Sequence, residues 1–258
     1  NLSNKDSQTS YSSTICNSAS DYTQIPDASF EQKLIDLGID SEGTLDQRAL
    51  TIDLEVVTSL AAPSLNIQDF TGIEAFRDLQ VLGIFNNPIS TINLSKNLQL
   101  TSLDISNPQN PTGAVLTSLD VTNNVLLTSL KATDNAITSI DVSNNVALIT
   151  LDVSDNALTS LDVTNLTQLN VFDFGGNNLT SIDVTKNTLL IDLQGNGNNL
   201  TGTVDVSQNK ALTSLAFNNN ANLGNVIVSA NSSLIRLNLA TTGSTSIDVS
   251  SNLSLEEL

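Results

Sequence analysis

Apolar and polar positions along most of the chain follow a pattern that returns about every 21 residues. The motif Leu-x-x-Leu begins at Leu127, Leu148, Leu169 and Leu190, each 21 residues after the one before. A period this short and this regular is typical of a solenoid, in which each coil packs only against its neighbours. With the register extended both ways, coils begin at Leu79, Leu100, Leu127, Leu148, Leu169, Leu190, Leu212, Leu234 and Leu255.

Each coil consists of two similar halves. In the first half, apolar residues such as Leu151 and Val153 alternate with polar ones, as in a strand with one buried face. The second half repeats a closely related segment, LTSLDVTNN at 116–124 and ITSIDVSNN at 137–145. We therefore expect both halves to be extended and the fold to be an α/β-type repeat solenoid dominated by β-structure, wound as a right-handed coil.

Asparagine recurs at the end of each half-turn. An inward carboxamide supplies both a donor and an acceptor to the backbone of the next coil, so we expect two internal hydrogen-bonded ladders with a structural role. Leu166 interrupts one ladder and Thr242 ends the other. The first set is Asn87, Asn135, Asn156, Asn177, Asn198 and Asn220; the second is Asn97, Asn124, Asn145, Asn187, Asn209, Asn231 and Asn252.

A short helix is predicted ahead of the repeats, where it would cap the end of the solenoid. Asp27 is a suitable N-cap, Phe30, Leu34 and Leu37 lie on one side, and Gly38 ends the helix. The last coil begins at Leu255 without a distinct cap, so we expect the chain to be part of something longer. The predicted organisation is a flexible polar leader at 1–24, a cap with an irregular first coil at 25–78, and the solenoid at 79–258.

Two motifs carry a resemblance to a known family. The coils match the leucine-rich repeat pattern LxxLxLxxNxL, for example from Leu148 to Leu158, and the segments IPDASFEQKLIDLGIDSEG and FTGIEAFRDLQVL precede them. Over residues 25–258 the chain resembles secreted leucine-rich repeat proteins of Bacteroidetes, and it is more distantly similar to internalins. The resemblance implies a secreted or cell-surface protein that functions in adhesion or ligand binding, with no catalytic residues to transfer.

Composition narrows the range of functions. The net charge of −18 argues against nucleic acid and anionic membranes as partners. No apolar run is long enough to insert into a bilayer. With no histidine, a histidine base, a hydrolytic triad and an imidazole metal site are all excluded. Cys16 is the only cysteine, so no intrachain disulfide can form. We predict that the chain is not an enzyme.

One row of aspartates recurs in the second halves of the coils. Hard cations prefer several oxygen ligands, so three interpretations stay open: aspartates that are solvated or bonded within their own turns, weak calcium sites, and a ligand-binding face. No other cofactor is expected. The row contains Asp120, Asp141, Asp162, Asp183 and Asp205, and it resumes at Asp248.

A second acidic segment follows the predicted helix. Asp40, Glu42, Thr44 and Asp46 place oxygens two residues apart around Gly43, as calcium loops do, but the segment lacks the terminal bidentate glutamate of an EF-hand. We interpret it as a turn.

The first-half strands are predicted to form a concave surface that binds a protein or polysaccharide. Phe85 is the expected anchor, because alternation points it outward. Next to it lies the only long insertion, 107–113, which is either a tolerated surface loop or a binding lip. Further candidates are Val171, Asp192 and Arg236. The predicted ligand-binding residues are Val81, Phe85, Asp104, Asn110, Lys131, Asp152 and Asp173.

Two functions are compatible with this pattern. The first is an extracellular recognition or adhesion module without catalytic activity. The alternative is a structural spacer or stalk of a larger surface protein, which a uniform repetitive surface would also suit. The sequence leaves the ligand and the oligomeric state open.

Overall fold

In the computed structural model, which describes residues 21–108 and 115–258, the coils stack into a leucine-rich repeat solenoid with little helix. The predicted fold class is confirmed. The strands are β1 (Tyr22–Gln24), β2 (Arg48–Leu50), β3 (Ser59–Ala61), β4 (Val81–Gly83), β5 (Ser102–Asp104), β6 (Ser129–Lys131), β7 (Thr150–Asp152), β8 (Val171–Asp173), β9 (Asp192–Gln194), β10 (Gly202–Asp205), β11 (Ser214–Ala216), β12 (Leu223–Ile227) and β13 (Arg236–Asn238).

A parallel sheet of nine strands runs the length of the solenoid. Its order is β3, β4, β5, β6, β7, β8, β9, β11 and β13. The middle residue of each strand is a buried leucine or phenylalanine, as at Leu130, Leu151 and Phe172. Because these residues are register partners, they pack into one continuous row, and the residues on either side of them point away from the core.

The second halves of the coils differ from the prediction. In most coils they form turns, and only β10 and β12 form a strand pair. A three-residue spacing between inward residues, as at Leu158 and Leu161, departs from the two-residue period of a regular strand. The buried Leu223 and Val226 of β12 have the same spacing, and the β10–β12 pair contains a register shift between Gly202 and Thr203. The coil that begins at Leu190 is one residue longer, and its buried Leu200 and Val204 are four residues apart, which does fit.

The two asparagine sets form ladders with different hydrogen bonds. Asn156 Nδ2 donates to the carbonyl oxygens of Ala132 and Val153 at 2.9 and 3.1 Å, and its Oδ1 accepts the Ile137 N–H at 3.0 Å. In the second set, Asn145 Nδ2 donates to two carbonyl oxygens of the preceding coil. Its buried Oδ1 has no hydrogen-bond partner in the described part of the chain.

The interruptions of the ladders have local explanations. Leu166 is fully buried at the position of an asparagine, and its own carbonyl oxygen accepts from Asn187 Nδ2 of the following coil. The Thr242 hydroxyl donates to the Leu239 carbonyl oxygen at 2.9 Å, much as Asn220 Nδ2 donates to the Phe217 carbonyl oxygen. Each ladder therefore tolerates one substitution without losing the coil geometry.

The N-terminal cap contains helix α1 (Ala28–Asp36), helix α2 (Thr51–Glu55) and a 3-10 turn (Ile73–Ala75). Asp27 is the N-cap of α1, as predicted: its Oδ1 accepts the N–H groups of Ser29 and Phe30. Phe30 packs against Phe70 with ring centroids 4.9 Å apart, which joins the cap to the solenoid core. The prediction for Leu37 is wrong, because this residue ends the helix and is 46% exposed.

Structure begins earlier than the predicted leader boundary. Strand β1 pairs antiparallel with β2, and Tyr22 is opposite Leu50. Residues 22–24 therefore belong to the cap rather than to the leader. Residues 1–20, including Cys16, lie outside the described residues. Among the helices of the described ranges, none is long and apolar enough to cross a membrane.

Candidate functional site

The outward side of the nine-stranded sheet, here called the sheet face, presents two rows of side chains. They are the first and third residues of each strand, and parallel pairing stacks both rows in register, roughly 5 Å between neighbours. The first row contains Ser59, Val81, Ser102, Ser129, Thr150, Val171, Asp192, Ser214 and Arg236; the third-residue row contains Ala61, Gly83, Asp104, Lys131, Asp152, Asp173, Gln194, Ala216 and Asn238.

The structure brings most of the predicted ligand-binding residues onto this face. Asp104, Lys131, Asp152 and Asp173 occupy consecutive positions of the third-residue row. Val81 lies in the first row, toward the N-terminal end of the same sheet. Asn110 lies outside the described residues, as do residues 109–113 of the insertion.

Phe85 lies just beyond the C-terminal end of β4. Leu82 and Ile84 are buried, whereas Phe85 is 36% exposed, so alternation continues for two residues past the strand. Beside it, the Asn86 N–H donates to the Ser106 carbonyl oxygen at 2.8 Å. The insertion begins at Asn107, directly after Ser106, and therefore starts at the same edge of the sheet as Phe85.

Carboxylates cluster at the centre of the sheet face. Burial, followed by the charges of Asp152, Asp155 and Asp192, raises the pKa of Asp173 to about 6 against a lowering hydrogen bond from the Gly175 N–H. The pKa of Asp155 is also raised, first by burial and then by Asp134 and Asp152. The cluster therefore concentrates negative charge where water is partly excluded.

Sequence reasoning missed the contribution of Asp155 to this cluster. This residue has φ +51°, at a corner where equivalent coils place Asp134 or Gly176 with similar positive φ. Asparagine, aspartate and glycine are the residues that tolerate this conformation. The recurring corner was a signal in the sequence, but it indicated a turn and not a charge beside the sheet face.

Two cations lie within the acidic sheet face. Lys131 separates Asp104 from Asp152 in the third-residue row, and Arg236 lies in the last strand. In the described ranges the one salt bridge is that of Arg48 with Asp46 at 2.9 Å, so neither cation has an ion-pair partner there. Both charges are exposed and available to a ligand.

The aspartates of the second halves are bonded within their own turns. Asp162 Oδ1 accepts the backbone N–H and the hydroxyl of Thr164 at 2.9 and 2.7 Å. The same pairing recurs at Asp120 and Asp183. The hydrogen bonds of the following Thr or Ser lower the pKa values of Asp120, Asp141, Asp162, Asp183 and Asp248.

This geometry favours the first of the three interpretations of the aspartate row. Over residues 21–108 and 115–258, no group of three or more Asp, Glu, Cys or His side chains is arranged to hold a metal ion. Calcium binding at these aspartates stays a prediction.

The acidic segment after α1 forms a turn with internal hydrogen bonds. Asp40 Oδ1 accepts the Glu42 N–H at 3.1 Å, and the buried Glu31 accepts the N–H groups of Asp46 and Arg48. Burial raises the pKa of Asp40. Asp40 Oδ1 and Glu31 Oε1 are therefore occupied by the backbone of the cap, as expected for a structural turn, whereas the buried Asp40 Oδ2 has no hydrogen-bond partner among the described residues.

Comparisons place this fold beside known leucine-rich repeat proteins. No protein-family model matches the chain, and no curated protein does. The functional domain of InlJ from Listeria monocytogenes, which includes a cysteine ladder, is 30% identical, with a TM-score of 0.70 over 91% of this chain and 56% of that one. Internalin C2 from the same species is 19% identical, with a TM-score of 0.66 over 83% and 94%.

A third match is a leucine-rich repeat protein of Leptospira interrogans, 21% identical, with a TM-score of 0.53 over 72% of this chain and 56% of that one. The chain spans just over half of the InlJ structure. Its fold is that of internalin-type leucine-rich repeat proteins, and no catalytic family is indicated. The InlJ domain includes a cysteine ladder, whereas the ladders described in this chain consist of asparagines.

Proposed function

We propose that the chain is a non-catalytic recognition or adhesion module that binds a protein partner through the sheet face. The observation that carries this proposal is the row of Asp104, Lys131, Asp152 and Asp173, stacked in register beside the exposed Phe85. Such a mixture of one aromatic anchor and fixed charges suits a protein surface, because aromatic residues supply contact energy and charges supply specificity.

The internalin-type fold supports the same function. Solenoids of this kind present extended surfaces to other proteins. We also propose that the chain is exported and acts outside the cell, as its resemblance to secreted Bacteroidetes proteins and its fold suggest. A polysaccharide is a weaker candidate ligand, because the sheet face carries few exposed aromatic rings.

The experiment is a binding screen of the whole chain against arrays of purified extracellular proteins and glycans, in calcium and in chelator. Phe85→Ala is the test variant, because its ring is the exposed aromatic side chain just beyond the end of β4. Ile52→Ala is the matched control, since its side chain is also exposed but lies in helix α2 of the cap and not in the sheet.

A protein ligand that binds the wild type and the control but loses at least tenfold in affinity with Phe85→Ala supports the proposal. Binding that is equal in all three proteins places the ligand elsewhere. Binding to no protein on the array supports the alternative of a structural spacer.

A further inference from the structure

Exposed apolar side chains line the edge of the sheet where the strands begin. Val125, Leu126, Val146, Ile149, Leu189 and Ile191, here called the apolar edge, are between 42% and 52% exposed. All six lie between the second asparagine ladder and the start of a strand. Before β8, which lies between them, the edge positions hold the polar Thr167, Gln168 and Asn170, and the exposed apolar residue is Val171 at the first position of the strand. Exposed apolar residues thus recur at four successive strands, β6 to β9.

The fold does not require apolar residues at these positions. The equivalents of Val146 are Thr167 and Lys210, the equivalent of Leu189 is Gln168, and the equivalents of Ile149 are Thr128 and Thr213. Those coils keep the same strand register with polar side chains. Contiguous exposed apolar surface that stability does not require is typical of an interaction site.

Carboxylates border the apolar edge on both sides. Asp141 precedes Val146 by five residues, and Asp152 follows Ile149 by three. Asp183 precedes Leu189, with Lys186 between them, and Asp192 follows Ile191 directly. A ligand that covered the apolar side chains would therefore meet negative charge at both margins.

The negative charge beside the apolar edge distinguishes between the ligands that could cover it. A second copy of the chain would bring a second set of carboxylates against the first, and each copy has a net charge of −18. The chain's own first twenty residues are mainly polar and carry one lysine. Anionic membranes are disfavoured by the same charge.

We propose that the apolar edge binds a segment of a partner protein that carries apolar side chains flanked by Lys or Arg. This site is distinct from the one in the proposed function. The strands are parallel and in register, so the apolar edge lies where they begin, whereas Phe85 lies where they end. Either surface can therefore fail as a binding site without the other.

The test uses three synthetic peptides and the whole chain. The first peptide alternates Leu and Lys, the second replaces each Leu with Ser, and the third replaces each Lys with Glu. The test variant combines Leu126→Gln, Val146→Thr, Ile149→Thr and Leu189→Gln, in which each new residue is one found at the same position of another coil. Phe85→Ala is the control for the opposite edge.

We expect the wild type and Phe85→Ala to bind the Leu/Lys peptide at least tenfold more tightly than either other peptide in a calorimetric titration. The edge variant should lose this preference while its circular dichroism and melting temperature stay close to those of the wild type. Equal affinity for the Ser/Lys peptide, or an unchanged preference in the edge variant, would overturn the proposal. Sedimentation that shows a wild-type dimer and a monomeric edge variant would assign the edge to a second copy instead, and would also overturn it.

Discussion

At the scale of single residues, the asparagines of the two ladders form different sets of hydrogen bonds. The carboxamide of Asn156 both donates to carbonyl oxygens and accepts an N–H group, whereas that of Asn145 only donates. A buried acceptor without a partner lowers the net contribution of a side chain to stability. The first ladder therefore stabilises each coil more strongly, although the sequence shows the same residue in both.

This difference predicts unequal mutational effects. Asn156→Ala should lower the free energy of unfolding by about 1–3 kcal/mol, because it takes a hydrogen-bond partner from partly buried carbonyl oxygens and from the Ile137 N–H. Asn145→Ala should cost about 1 kcal/mol less, since it also removes an unpaired oxygen. Urea denaturation of both variants measures the difference. Equal losses, or a larger loss at Asn145, would contradict this assignment.

Asp173 predicts a pH dependence of stability. Its pKa is raised from 3.8 to about 6 in the folded protein, so between these values the folded state binds the proton more tightly than the unfolded state. The free energy of unfolding therefore falls as pH rises through this window. The turn aspartates have lowered pKa values, so their effect on stability appears at pH values below this window. There, protonation removes the stability that their hydrogen bonds provide.

Asp173→Asn should remove part of the stability loss between pH 4 and pH 6. The amide keeps an oxygen for the Gly175 N–H and carries no charge beside Asp152. We expect the variant to be more stable than the wild type by about 1 kcal/mol at pH 7, after allowance for solvent screening, and equal to it near pH 4. Melting temperatures of the two proteins across this pH range test the prediction. Identical pH profiles would show that the ionised form of Asp173 is not destabilised by its surroundings.

At the scale of elements, the cap depends on one carboxylate. Asp27 Oδ1 caps helix α1, and Oδ2 accepts the N–H groups of Gln68 and Asp69 at 2.8 and 3.2 Å. The same side chain therefore starts the helix and attaches it to the loop that leads into the repeats. Short-range sequence signals identified the first role, while the second depends on a partner about 40 residues away.

A graded series at Asp27 separates these roles. Asp27→Asn should keep the cap but lose the contacts of one oxygen, and Asp27→Ala should lose both. We expect stability losses of about 0.5–1 and 1.5–2 kcal/mol. Thermal denaturation gives the comparison, and equal losses in the two variants would indicate that the bonds to Gln68 and Asp69 contribute nothing.

The hydrophobic period correctly predicted the strands in the first halves of the coils, where apolar and polar residues alternate. Strands β4 to β9 match the expected alternation, since their register follows the leucine spacing. The prediction of strands was wrong for most second halves, where the step from Leu158 to Leu161 breaks the regular two-residue alternation although the residues favour a strand. Strand β1 was missed because Tyr22–Gln24 has no pattern of its own and is extended only through its pairing with β2.

At the scale of the whole molecule, the sequence predicted which residues share the sheet face but not how they interact. Alternation placed Asp104, Lys131 and Asp152 in one row. The approach of Asp155 to Asp173 depends on how the corner folds, which alternation does not describe. The apolar edge was missed because residues such as Val146 lie next to core leucines in sequence, and a comparison of equivalent coils reveals them as exposed.

Carboxylate footprinting with the bound protein partner tests the central claim most directly, because aspartates report on both faces of the solenoid. Carbodiimide labelling followed by mass spectrometry would be compared for the free and the bound chain. We predict that Asp104, Asp152 and Asp173 on the sheet face lose labelling, while Asp120, Asp141 and Asp162 on the second halves keep theirs. Protection of the second set with unchanged labelling of the first would contradict recognition through the sheet face.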